Sequence, residues 1–201
     1  MRVLISGFWI VLSLITFMFA ADMEPGKPAA DFSLLDATGN THKLTDYKGK
    51  IVVLEWVNFG CPFVKKHYKS GNMQMLQKKY TDKDVIWLSI CSSAQGKQGY
   101  LEAGKIKEVL ADKKARPTAY LVDEDGKVGR LYGAKTTPHM FIINQNGMLL
   151  YKGAIDDIRS VDVKDIKKAN NFVSSTLDKL LKGKKVKPFQ TTAYGCSVKY
   201  K

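Results

Sequence analysis

Apolar positions along this chain change their spacing several times, and each change marks a predicted element. Val3 to Ala20 is almost wholly apolar after Arg2, with Ala20-Ala21 as a small-residue exit before the polar Asp22-Met23-Glu24-Pro25. Such a run predicts a signal peptide or N-terminal membrane anchor over residues 1–21, and either puts the folded part outside the cytoplasm, periplasmic or extracellular. From Phe32 to Leu44, apolar and polar residues alternate around Thr38-Gly39-Asn40, which predicts a small β-hairpin. Ile51 to Val57 and Val85 to Ile90 are mostly apolar and rich in β-branched residues, as buried strands are. Between them Pro62 suits a first helical turn, and Val64, His67, Tyr68, Met75 and Leu76 recur at helical spacing, predicting a helix over 63–80.

Residues 100–114 predict an amphipathic helix with Ala103, Ile106, Val109 and Leu110 on one side, followed by a strand from Thr118 to Val122. Asp123-Glu-Asp-Gly126 lacks the downstream acid that an EF-hand loop requires and reads as a turn. His139 to Ile143 and Met148 to Lys152 flank Asn144-Gln-Asn-Gly147, a hairpin signal. Ile166, Ala169, Val173, Leu177 and Leu180 predict a closing helix that stops at Gly183. Residues 184–201 read as a basic, irregular tail containing a cysteine. Strand–helix–strand connections and a late hairpin predict a three-layer α/β/α sandwich with a mixed central sheet over 22–183, opening on the N-terminal β-hairpin.

Composition then narrows the function. The 201 residues are 45% hydrophobic and 25% charged, which excludes a disordered or collagen-like chain. The 32 Lys+Arg outnumber the 19 Asp+Glu to give +13, but the lysines lie in dispersed pairs such as Lys65-Lys66 and Lys113-Lys114. Without arginines interleaved with stacking aromatics, nucleic acid is not an expected partner, and weak association with an anionic membrane surface is the reading of the charge. Three cysteines are too few for a disulfide framework or a closed four-cysteine zinc site.

The chemistry centres on Cys61. It falls where a buried strand gives way to a proline-started helix, so its sulfur faces free amides and the positive end of the helix dipole. Both favour the thiolate, the nucleophile in disulfide exchange and in attack on peroxides. Lys65, Lys66 and His67 add positive charge in the following turns. Lys135-Thr-Thr-Pro138-His139 precedes a strand, where proline is tolerated and a cis bond is a deliberate feature.

On these residues the chain resembles the thioredoxin-like superfamily, and within it the alkyl hydroperoxide reductase/thiol-specific antioxidant group of redoxins. The matching stretches are Gly26 to Leu34, Leu44 to Leu54, Cys61-Pro62, Asp125 to Val128, Tyr132-Gly133 and Thr137 to Ile143. The resemblance implies a thioredoxin-like fold with Pro138 cis beside Cys61, and a peroxiredoxin-like, thiol-dependent oxidoreductase without a cofactor. Its substrates would be a peroxide or a disulfide, and its reductant an external thiol. Two positions depart from the relatives. Val64 stands where a dithiol thioredoxin has its second cysteine, and Asn58 where peroxiredoxins carry Thr or Ser. Asn58 retains a hydrogen-bond donor for a peroxide oxygen. The missing second cysteine weights the expectation toward peroxide over disulfide.

Cys196, in the tail, and Cys91, at a strand end, are the candidate resolving thiols, with Cys196 slightly favoured. His139 is expected near the thiol as a base or positive neighbour. A separate reading takes Cys61, Cys91 and His139 as ligands of a Sco-like copper site.

Overall fold

A computed structural model describes residues 23–201, and the expected leader or anchor at 1–21 lies outside the described residues. Among those described, no helix is long and apolar enough to cross a membrane. The elements run β1 (Ser33–Asp36), β2 (Thr41–Lys43), β3 (Val52–Trp56), α1 (Pro62–Lys69), α2 (Asn72–Thr81), β4 (Ile86–Cys91), α3 (Ala103–Asp112) and β5 (Ala119–Val122). There follow α4 (Lys127–Tyr132), β6 (Thr136–Thr137), β7 (His139–Ile143), β8 (Leu149–Gly153), α5 (Phe172–Leu181), β9 (Phe189–Gln190) and β10 (Cys196–Ser197).

The main sheet has the order β2-β1-β5-β4-β3-β7-β8-β9. β3, β4 and β5 are parallel neighbours, while β7 runs antiparallel to β3. Sidedness follows from the strand period of two. Val53 of β3 and Val57 just beyond its end face one core with Val64, Met73, Leu76, Ile106, Val173 and Leu177, which places α1, α2, α3 and α5 on that face. Val52, Leu54 and Trp56 face the other core with Phe141, Val128 and Tyr132, under α4 and the N-terminal segment. The mixed three-layer sandwich and the opening hairpin agree with the sequence reading.

Three elements differ from it. The helix expected over 63–80 is two helices, because Gly71 takes a left-handed conformation (φ +74°) and turns the chain after Ser70. The closing helix starts later than its periodicity suggests. Asn170 is held by Asp157, and the Asn171 side chain accepts the Ser174 amide at 2.8 Å to cap α5. The short α4 has no counterpart in the sequence reading. Buried Asp123 organises its start by accepting the amides of Val128 and Gly129 at 3.1 and 2.8 Å.

The largest departure is the tail. Residues 184–201 form an ordered strap. β9 pairs parallel with β8, and Thr191 Oγ1 accepts the Ala154 amide at 3.0 Å. Further on, β10 pairs antiparallel with β6, and the Val198 amide donates to the Lys135 carbonyl at 3.1 Å. Tyr200 donates to the Ala134 carbonyl at 2.7 Å with Arg130 stacked over its ring. None of these contacts has a hydrophobic period, so the segment looks irregular in sequence although it is pinned at several points along the sheet.

Candidate active site

The strap, the cis-proline turn and the start of α1 meet at Cys61. Cys61 is the residue preceding the first turn of α1, with Pro62 as the first helical residue, and it is fully buried. The Thr137–Pro138 bond is cis, and the Cys61 thiol donates to the Thr137 carbonyl at 3.0 Å. Cys196 pairs across from Thr137, so the strap brings its half-buried thiol beside Cys61. Both are free thiols. The approach depends on Gly195, whose φ is +146° and where an added Cβ would lie 2.0 Å from the Thr137 oxygen.

The two sulfurs are electrically unequal. Burial pushes the Cys61 thiol up, but hydrogen bonds from the Cys196 side chain and the amide of Val64 outweigh it, and its pKa falls below the ordinary thiol value. Burial and the hydrogen bond to Cys61 push Cys196 up to about 11. Of the two thiols, Cys61 is therefore the more acidic.

The other expected site residues are placed elsewhere. Cys91 directs its sulfur to the Gly99 carbonyl at 3.3 Å and lies against the Tyr120 hydroxyl, not against Cys61. Asn58 is buried near the site, but its amide donates to the Gln98 carbonyl at 3.1 Å and accepts from the Gly60 amide at 2.8 Å, bracing the loop before Cys61. His139 pairs with Trp56 in the sheet and faces the opposite core, where its Nδ1 accepts the Lys135 amide and its ring packs on Phe141. It does not neighbour Cys61, because residue 139 and residue 140 of a strand point to opposite faces. The copper reading is corrected with it: among the described residues no three His, Cys, Asp or Glu gather as a metal site.

Two buried carboxyls were not legible as site residues. Glu55 lies under α1 and accepts from Tyr68 Oη at 3.1 Å, Gln77 Nε2 at 3.1 Å, Trp87 Nε1 at 2.8 Å and Ser89 Oγ at 2.8 Å. Burial raises its pKa against these four hydrogen bonds. Asp156 accepts from the Tyr194 hydroxyl and lies 3.9 Å from Lys66 Nζ and 3.8 Å from His67 Nε2, all deeply buried. Lys66, read in sequence as a positive neighbour of the thiol, is therefore turned toward Asp156 and the Ile158 carbonyl, which it reaches at 3.2 Å. His67 stays neutral, its pKa lowered to about 3 by burial and by Lys66.

Comparison with known proteins places this geometry. Residues 25–152 match the AhpC/TSA family model. The chain is 29% identical over 133 residues to the thioredoxin-like protein YneN of Bacillus subtilis (strain 168), covering 59% of this chain and 77% of that one. It is 26% identical over 130 residues to the thiol-disulfide oxidoreductase ResA of Bacillus thuringiensis subsp. konkukian, covering 64% and 68%. A crystal structure of an uncharacterized conserved protein from Geobacillus kaustophilus superposes with a TM-score of 0.73 at 29% identity, over 88% of this chain and 92% of that one. That superposition reaches well beyond residue 152. With a cysteine at a helix start facing a cis-proline inside the matched span, the chain belongs to the AhpC/TSA family and is a thiol oxidoreductase of thioredoxin-like fold.

Proposed function

We propose that this protein is an exported thiol–disulfide exchange enzyme in which Cys61 attacks and Cys196 resolves. The observation that carries the reading is the meeting of two free thiols at the cis-proline turn, where Thr137 accepts from Cys61 and pairs with Cys196, with Cys61 the more acidic of the two. The strap supplies the second thiol that position 64 lacks, which removes the reason for preferring peroxide chemistry. Asn58, the candidate peroxide donor, has its amide engaged at both ends. Export rests on Arg2 and the apolar run to Ala20, and the +13 charge suits weak contact with an anionic envelope surface.

In the exchange, the Cys61 thiolate forms a bond to one sulfur of a substrate disulfide and expels the other as a thiolate. Cys196 then attacks the Cys61 sulfur, forming Cys61–Cys196 and releasing the second substrate thiolate, with the Cys196 proton passing to the departing sulfur. The substrate gains two electrons and the cysteine pair loses them, and an external dithiol restores the reduced pair.

The test treats the reduced protein with one equivalent of glutathione disulfide and reads each cysteine by non-reducing peptide mass spectrometry. The expected product is Cys61–Cys196 in the parent protein and a stable glutathione adduct on Cys61 in Cys196→Ser. If Cys61 ignores the disulfide but forms sulfenic acid rapidly with hydrogen peroxide, the protein is a peroxidase and the exchange reading falls.

A further inference from the structure

Cys61 is fully buried in the closed site, yet it is the more acidic thiol. A substrate disulfide needs an open line to the sulfur it meets, so the strap must lift before Cys61 can attack and return before Cys196 can resolve. The strap is anchored on either side of this stretch. Upstream, Thr191 bonds Tyr151 and Ala154, and downstream Val198 and Lys199 pair with Lys135 and Ala94. Between these anchors the two-residue pairing of β10 with β6 and the side chain of Tyr194 hold the segment down.

Tyr194 stands two positions before Cys196. Its hydroxyl donates to Asp156, and its ring packs edge-on against Phe63, at 5.6 Å, in the first turn of the Cys61 helix. Asp156 in turn faces Lys66 and His67 on the next turn of that helix, and its Oδ1 also accepts the Ile158 amide at 3.1 Å. One buried carboxylate therefore ties together the helix that carries Cys61 and the strap that carries Cys196. Sequence spacing alone would not connect them, since Asp156 lies in neither element.

Resting on the exchange reading, we propose that Tyr194 and Asp156 are positioning residues forming a latch, which in its closed state shields Cys61 and holds Cys196 against it. Releasing the latch exposes the attacking thiol, and closing it delivers the resolving one. Substrate access and resolution are then alternative positions of one segment. The order of steps follows from that exclusion, because Cys196 cannot return to Cys61 until the strap has closed over the mixed disulfide.

The latch makes two thiol readouts move in opposite directions. In Tyr194→Phe, loss of a hydrogen bond to a charged group should raise the alkylation rate of Cys61 about tenfold and lower the effective concentration of Cys196 toward Cys61, read from the glutathione equilibrium, about tenfold. Cys91, buried outside the latch, should keep its parental alkylation rate and so serves as the internal control for unfolding. Asp156→Asn should act in the same direction. A Tyr194→Phe protein with both readouts at the parental value would overturn the latch. A second measurement needs no variant: in the parent protein, the Cys61 alkylation rate constant, corrected for its thiolate fraction, should lie at least about tenfold below that of an exposed thiol. An alkylation rate constant equal to that of an exposed thiolate of the same pKa, measured on the denatured chain, would instead show an unshielded thiol and overturn the proposal even if the variants misfold. Failure of the parent protein to form Cys61–Cys196 at all would instead remove the exchange reading on which the latch rests.

Discussion

Cys61 and Cys91 are both buried cysteines at the same end of adjacent parallel strands, β3 and β4, and their surroundings differ. Cys91 is the last residue of its strand, and its sulfur meets a carbonyl and a phenol. Cys61 comes after its strand has ended, at the start of α1, with the Val64 amide and the Cys196 thiol directed at it. Burial is common to both and distinguishes neither. What differs is the set of donors available to the ionised sulfur, which is what controls thiolate formation.

The strongest way to break this comparison is to remove each sulfur in turn. Cys61→Ser should reduce disulfide turnover by on the order of a thousandfold or more, since the nucleophile itself is lost. Cys91→Ser should leave turnover within about twofold and cost about 1 kcal/mol of stability in a denaturant titration. Comparable losses from the two variants would mean that Cys91 takes part in the reaction.

A smaller effect should come from taking away only the approach of the second thiol. Gly195→Ala places a Cβ against the Thr137 carbonyl, and overpacking of this kind costs about 1–3 kcal/mol. If the strap gives way, the Cys61–Cys196 equilibrium against glutathione should weaken by roughly tenfold to a hundredfold. An unchanged equilibrium would show that the strap accommodates the methyl group without moving Cys196.

The mildest change is in the pH profile. Cys61 alkylation should rise through a midpoint below that of an ordinary thiol, because the thiolate reacts and its pKa is lowered. Cys196 should gain reactivity only near its pKa of about 11. In Cys196→Ala the Cys61 midpoint should move up, as the hydrogen bond that most favours the thiolate is gone. A midpoint unmoved by that variant would assign the shift to the helix start alone.

The thiol proposed to attack was legible as a candidate because its signal is local: a β-branched run, then Cys-Pro, then helical spacing. The cis-proline turn was legible for the same reason, since Thr-Pro stands directly before a strand. His139 was misplaced by one step of the strand period, a choice of face that sequence proximity to Pro138 cannot make. Tyr194 and Asp156 were invisible for a different reason, and Lys66 was read as a neighbour of the thiol when it faces Asp156. They lie in three separate segments, and Lys66 in a Lys-Lys pair carries the signature of solvated surface while its side chain is wholly buried. The strap was missed because backbone pairing at a sheet edge leaves no periodic trace in two-residue strands such as β9 and β10. The fold, which depends on long apolar runs, was therefore far easier to read than the strap that carries Cys196, itself already a candidate, to the site.

The span between the two sulfurs has a thermodynamic consequence of its own. A bond from Cys61 to Cys196 would close a loop through most of the sheet and nearly all of the helices, and cross-links over loops of about 100 residues or more restrict the unfolded chain by roughly 4–5 kcal/mol in the chain-entropy account. Oxidising the site would thus stiffen the unfolded ensemble of the whole domain, and by linkage the folded domain would favour that bond by the same free energy. The melting temperature of this protein becomes a gauge of its electron count: the molecule that has just reduced a substrate is the harder one to unfold.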